Sequence, residues 1–458
     1  MLNSTQTIEG NVPITVPAAS GRLPVSPVLS IEKLVAGGQG LGRVGSQVVL
    51  VPGALPGETL SVHIGEKRRG VHQAEILKII QPSVDRVEPS CAIAGECGGC
   101  QFQHQTYQGQ LIQKRNMLQD TLLRIGKLST PDIPAVVPSP RAFHYRTSVR
   151  FVVFKEGSGF QLGFFRQGTR MPIQSTHCLL IPEPAKEVVT KAARYLSAKR
   201  TLPVFLESLE VRWSEFLSQG LIIFRGKCRH KRQALELLEG LGSLKEVAGF
   251  VFENVQSDRD RGSKTSFVLE GQDHLFERFH ALTLRIGHRS FLQANWPVYE
   301  AVGERLVEWG KDLKGGRILE LYAGVGALGM ALARRGALVT IVETNACSLA
   351  DARRSATLNH VGGCRFRMET AEAYLSSTKI GDYEAIHLDP PRTGLSTKVI
   401  QELGRILTPR IFYVSCDPAT LARDLSRLSS FGYRILRIQP FDMFPQTAHI
   451  ETLVELTL

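Results

Sequence analysis

Cys416 is the side chain best placed by its neighbours to do chemistry. It follows a four-residue apolar run, 411–414, in "YVSCDPATLARDL", and a helical pattern begins at Ala419. Strand-to-helix turns are where α/β folds put ligand-touching groups. The competing interpretation is a small buried thiol that only packs. The start of the following helix is expected to lower the thiol pKa. Glu451, in "FPQTAHIETLVEL", lies between an apolar flank and a terminal strand. A desolvated carboxylate there would be a strengthened base, whereas an exposed strand residue would do nothing. A thiol that adds to carbon and a base that removes a proton form a complete pair for covalent catalysis.

A second group of residues could hold a cofactor. "ILELYAGVGALGMALA" (318–333) reads as an apolar strand, a Gly-x-Gly turn and a helix. Gly324 and Gly326 would let the backbone turn sharply and approach a ligand. Glu343 ends the next strand, in "LVTIVET", where a carboxylate can accept both hydroxyls of a ribose. Asp389 ends a third strand, in "EAIHLDPPRTGL". The order Gly-x-Gly, Glu, Asp-Pro-Pro resembles S-adenosylmethionine-dependent methyltransferases. Gly329 nearly completes a dinucleotide fingerprint, so a nicotinamide site stays open, as does a helix cap for Glu343. Arg392 follows Asp-Pro-Pro where amine methylases of this pattern carry an aromatic ring. Methylation at carbon therefore fits better. The C5 carbon of a pyrimidine becomes nucleophilic once a thiolate has added at C6, and a base must later remove the C5 proton. That chemistry needs one cysteine and one base beside the cofactor, as Cys416 and Glu451 would be.

Cys91, Cys97 and Cys100 form a C-x5-C-x2-C loop in "CAIAGECGGCQFQH", and Cys178 lies in "STHCLLI". Three thiols in a glycine-bearing loop suit a metal or a [4Fe–4S] cluster. Zinc is the alternative, because thiolates alone do not select the metal. A redox pair at Cys97 and Cys100 would leave Cys91 idle. Cys228, Cys347 and Cys364 show no pattern and read as packing residues.

These groups need a scaffold, and 458 residues are enough for several domains. Lys and Arg outnumber Asp and Glu by 55 to 43, a net charge of +12 that suits a polyanion such as RNA. No apolar stretch is long enough to span a membrane. Residues 1–27 read as a disordered tail without the features of a signal peptide. A cytoplasmic location is expected, where free or metal-bound thiols are favoured over disulfides. Residues 28–84 show about five short strands separated by turn residues, an OB-like barrel of the kind that binds single strands or RNA. Lys67, Arg68, Arg69 and His72 would supply phosphate contacts, or form an ordinary solvated loop. Residues 85–100 and 136–280 read as a mixed α/β central domain bearing the cysteines. Residues 101–135 and 281–458 read as an α/β, doubly wound, Rossmann-like methyltransferase domain, with a helix over 101–127 and strand–helix alternation from 297.

Five motifs carry a family resemblance: "FLQAN" (291–295), "LYAGVG" (321–326), "DPPRTGL" (389–395), "SCDPATLARD" (415–424) and "HIETLVEL" (449–456). From about residue 28 the chain resembles the RNA uracil-5-methyltransferases of the iron–sulfur, TRAM-domain type that act on 23S rRNA. The resemblance implies Cys416 as nucleophile and Glu451 as base. It implies Gln293, Tyr322, Glu343 and Asp389 as S-adenosylmethionine ligands, and Phe291 with Gln293 at the target base. It also implies a [4Fe–4S] cluster on Cys91, Cys97, Cys100 and Cys178, a monomeric enzyme and an RNA partner, rRNA ahead of tRNA. The chain departs from the family pattern at Asp417 and Ala327, where Asn is common. A tRNA uracil-5-methyltransferase would share every catalytic residue. A non-catalytic iron–sulfur RNA-binding factor would not need both Cys416 and Glu451.

Overall fold

The computed structural model describes residues 26–68, 70–128, 132–239, 241, 244–255 and 265–458. Most of the expected tail, Arg69 and the side chain of Arg68 lie outside the described residues.

The first five strands are β1 (Val28–Val35), β2 (Gln39–Val44), β3 (Gln47–Val51), β4 (Thr59–Arg68) and β5 (Val71–Gln81). They close into a barrel of order β1-β2-β3-β5-β4. Alternate residues such as Leu29, Ile31, Val49, Val51, Leu60 and Val62 fill its interior. Closure leaves no free strand edge along the barrel wall. This is the OB-like unit expected from the turn-rich segment.

The rest of the chain forms a second compact unit built on two large sheets. It begins with helix α1 (Tyr107–Arg124). The central sheet comprises β6 (Ser148–Glu156), β7 (Gly159–Phe165), β8 (Pro172–Gln174), β9 (Phe205–Ser214), β10 (Gln219–Lys227), β11 (Val247–Asn254) and β12 (Ser266–Gly271). Helices α2 (Glu183–Ser197) and α3 (Lys231–Leu235) lie between its strands in sequence, and the sheet order is β12-β11-β10-β9-β6-β7-β8. A hairpin, β13 (His274–Phe279) and β14 (Leu282–Gly287), leads to the last sheet.

That sheet is built from α4 (Trp296–Trp309), β15 (Arg317–Leu321), α5 (Ala327–Arg334), β16 (Leu338–Val342), α6 (Ala346–Leu358), β17 (Cys364–Arg367) and α7 (Ala371–Ser377). It continues with β18 (Ala385–Leu388), α8 (Thr397–Ile406), β19 (Arg410–Ser415), α9 (Pro418–Ser429), β20 (Arg434–Phe441) and β21 (Glu451–Thr457). Its order is β17-β16-β15-β18-β19-β21-β20. Strands β15 to β19 are parallel, and β21 runs antiparallel between β19 and β20. Alternation along each strand sends side chains to opposite faces. Ile318, Val339 and Phe412 join a cluster with α4, α5 and α6, while Leu319, Leu388 and Tyr413 join one with α1, α7, α8 and α9. Helices on both faces make the sheet doubly wound, as expected.

Candidate active site

Strand order reverses between β15 and β18, so the crevice beyond their carboxyl ends is where this architecture accepts a ligand. The turn after β15 has an unusual backbone. Tyr322 is a non-glycine residue at φ 61°, followed by Gly324 at φ 54° and Gly326 at φ 70°. A left-handed tyrosine costs about 1–3 kcal/mol, which the flanking sheet must offset. At Gly326 a Cβ would also stand 3.2 Å from Ile341 Cδ1, a tight contact that adds to the backbone preference for glycine. The Gly324 amide donates to Glu343 Oε2 at 2.8 Å, and the Asn345 amide donates to Glu343 Oε1 at 2.7 Å. Glu343 thus joins the turns after β15 and β16. It is not the helix cap, because Asn345 holds that position and accepts from the Cys347 and Ser348 amides. Ala327 is fully buried at the start of α5, so this departure from the family pattern faces the core.

Asp389 follows β18 in the same row. Burial, with the Glu320 charge, pushes its pKa up to about 6 while His387 opposes. Glu320 and His387 are themselves buried side by side, with Nδ1 3.3 Å from Oε1.

The next position along the edge is Cys416, after β19. Because β21 is antiparallel, it begins where β19 ends, and Ser415 pairs with Thr452. The following step of this register brings Cys416 level with Glu451. Glu451 is 6% exposed. Burial pushes its pKa well up, Asp389 adds to this, and Arg392 opposes it. Burial and then the Glu451 charge push the Cys416 thiol up to about 12, with Arg392 again opposing. The expectation of a thiol acidified by the α9 terminus is therefore wrong. Desolvation and an adjacent carboxylate outweigh the half-charge of one helix end. Asp417 is the N-cap of α9 and accepts from the Thr420 amide at 2.8 Å, with Pro418 at the first helical position. Its departure from Asn keeps the capping oxygen.

Phe291 and Gln293 precede α4. Phe291 is 67% exposed, and the Gln293 carbonyl accepts from the Thr147 hydroxyl. Asn345 Nδ2 donates to the Arg289 carbonyl at 3.0 Å, tying this segment to the turn after Glu343. Tyr299 of α4 is buried within the fields of Asp389, Glu320 and Glu451, which raise its pKa further after burial. The cofactor-edge residues, the segment 289–295 and the Cys416–Glu451 pair therefore share one end of the sheet.

A match to the family described as tRNA (Uracil-5-)-methyltransferase covers residues 106–458. The chain belongs to that family. A TRAM domain matches residues 29–77, the barrel. This methyltransferase is 31% identical over 446 residues to an uncharacterized RNA methyltransferase of Thermosynechococcus vestitus, covering 94% of this chain and 97% of that one. An uncharacterized RNA methyltransferase of Synechocystis sp. is 33% identical, covering 93% and 94%. The crystal structure of Pyrococcus abyssi tRNA (uracil-54, C5)-methyltransferase in complex with S-adenosyl-L-homocysteine is similar at TM-score 0.73 and 26% identity. It covers 94% of this chain and 99% of that chain. The methyltransferase is thus an S-adenosylmethionine-dependent enzyme of RNA uracil-5 methylation, and the nicotinamide and non-catalytic interpretations fall away.

Arg392, which in the sequence marks only the absence of an aromatic ring after Asp-Pro-Pro, is a cation that opposes the upward shifts of both Cys416 and Glu451. The four-cysteine expectation fares differently. Cys91, Cys97, Cys100 and Cys178 are free thiols of intermediate exposure. They lie within each other's fields: Cys100 is pushed up to about 11 by burial, with Cys178 and Cys97 adding to it. Among the described residues, however, no three His, Cys, Asp or Glu side chains converge as a group able to hold a metal ion. The thiols as arranged do not form a ready cluster site.

Proposed function

We propose that this enzyme methylates C5 of a uridine in RNA through a covalent bond from Cys416, with 23S rRNA as the substrate. The observation that carries the mechanism is the β19–β21 register, which sets Glu451 level with Cys416 at the edge bearing Asp389 and the glycine turn. Glu343 and Asp389 would hold S-adenosylmethionine, with Tyr322, Gln293, Gly324 and Gly326 forming the wall. When bound, it supplies an electrophilic methyl group. Phe291 presents an exposed ring for stacking, and the Gln293 amide can both donate and accept, as the uracil edge requires. Cys416, after its thiol proton passes to solvent, adds as the thiolate to C6 and makes C5 nucleophilic. Once C5 carries its methyl group, Glu451 takes the C5 proton, and the thiolate leaves. The carboxyl's raised pKa makes it a stronger base, and the Arg392 cation opposes part of that rise.

The TRAM barrel and the four-cysteine spacing support rRNA. A [4Fe–4S] cluster on Cys91, Cys97, Cys100 and Cys178 belongs to this reading, supported by their spacing and by the fields they exert on one another. A tRNA substrate is the second reading, favoured by the archaeal tRNA enzyme whose structure this chain matches along most of its length. Mapping of 5-methyluridine in rRNA and tRNA, with and without the gene, decides between them. Trapping decides the mechanism. Cys416→Ala should give neither product nor adduct. Glu451→Gln should accumulate a methylated RNA–protein adduct on denaturing gels. Turnover by Cys416→Ala, or wild-type turnover by Glu451→Gln, would remove the two roles.

A further inference from the structure

The central sheet carries a groove at the end remote from the methylation site. It has a volume of about 950 Å³ and is bordered by the ends of β6 and β10, the segment before β9 and the start of α3. Among the described residues four cations line it, Lys155, Arg200, Lys227 and Arg229, and no carboxylate does. All four are exposed. Among the described residues none of them has an ion-pair partner. Elsewhere the same sheet neutralises its arginines: Arg150, Arg212 and Arg225 pair with Glu210, and Arg225 also with Glu253. Four unpaired cations in one concavity repel one another, which a stable fold tolerates more readily when a polyanion occupies the site.

Aromatic surface accompanies the charge. Phe205 is 59% exposed and is the cross-strand neighbour of Lys227, and Phe160 is half-buried in the groove wall. Exposed rings beside unpaired cations are the equipment for single-stranded nucleic acid, with phosphates on the cations and bases on the rings. The groove lies at the Phe205 end of β9. At the other end, the Trp213 amide donates to the Thr147 carbonyl, and the Thr147 hydroxyl donates to the Gln293 carbonyl. Ten residues of strand separate the two ends, roughly 30 Å at about 3.3 Å per residue. One RNA can reach both places, and one flipped nucleotide cannot.

We propose that this groove binds a single-stranded stretch of the substrate RNA remote from the target uridine. The proposal rests on the RNA-methylating function given above. It is tested on the full chain with the quadruple variant Lys155→Ala, Arg200→Ala, Lys227→Ala, Arg229→Ala, and separately with Phe205→Ala. Fluorescein-labelled oligouridylate is titrated by anisotropy over a range of salt concentrations. Losing four phosphate contacts should lower the slope of log affinity against log salt by about 3 and weaken binding at least about tenfold at low salt. Phe205→Ala should weaken binding about tenfold with the slope unchanged. S-adenosylmethionine affinity should match the wild type in both, and the melting temperature should not fall, rising in the quadruple variant as the repulsion is relieved. An unchanged slope in the quadruple variant, while the wild type binds and methylates RNA, overturns the groove alone. A wild type that neither binds nor methylates RNA overturns the functional reading and the groove together. Oligoglutamate competing as well as oligouridylate, with no effect of Phe205→Ala, would assign the groove to an acidic protein and overturn the proposal.

Discussion

The Cys416 thiol should be a reluctant nucleophile in the absence of ligands, and the size of that reluctance follows from its surroundings. Burial and Glu451 raise its pKa from an ordinary 9.0 to about 12. Three units correspond to about a thousandfold less thiolate at any pH below 9. A more basic thiolate is also intrinsically more nucleophilic, by about twentyfold over three units at a Brønsted slope of about 0.45. The net expectation is alkylation roughly fiftyfold slower than for a free thiol of ordinary pKa. Iodoacetamide trapping, read by mass spectrometry of the Cys416 peptide from pH 7 to pH 11, measures this directly. The shape matters more than the rate, because poor access also slows alkylation. The rate should climb tenfold per pH unit up to about pH 11 with no plateau. Glu451→Gln should bring the plateau to lower pH, and Arg392→Ala should move it higher. A wild-type plateau at or below pH 9 would refute the electrostatic account.

Asp389 has a folded pKa of about 6, above its ordinary 3.8, so its contribution to stability is present below about pH 4 and is lost as pH rises through 6. Asp389→Asn should therefore raise the melting temperature at pH 8, and the gain should vanish near pH 4; thermal melts across that range test it. Lys114 of α1 and Asp442, after β20, form an ion pair at 2.5 Å with both side chains fully buried. Lys114→Met should cost about 3–5 kcal/mol in urea unfolding, and adding Asp442→Leu should restore most of it, because one orphaned buried charge is worse than none. If the cysteines close on a cluster, anaerobic purification should yield a brown protein with about four irons per chain; stoichiometric zinc without iron would remove the cluster.

Much of the cofactor edge was legible because it is local. An apolar run that stops at Glu343, at Asp389 or one residue short of Cys416 announces both a strand and the place where it ends. The five-stranded barrel was legible for a similar reason, since turn residues mark each reversal. What escaped is non-local. Nothing near Glu451 states that β21 will insert beside β19, yet that insertion sets Glu451 level with Cys416. The direction of the Cys416 shift was misjudged for the same reason: the helix start is local, whereas the burial and the Glu451 charge that dominate come from distant sequence. The cysteine spacing was easy to see. Convergence of Cys178 on the 91–100 loop depends on tertiary packing, which spacing does not encode.

The strand bearing Glu451 is synthesised after both of its neighbours in the sheet. A nascent chain therefore displays Cys416, the glycine turn and Asp389 before it holds Glu451. Until β21 arrives, β19 and β20 each lack the strand that pairs with them in the finished sheet. Pairing of β21 completes the sheet and, in the same act, brings Glu451 level with Cys416. A chain that stops before β21 would keep both edges open.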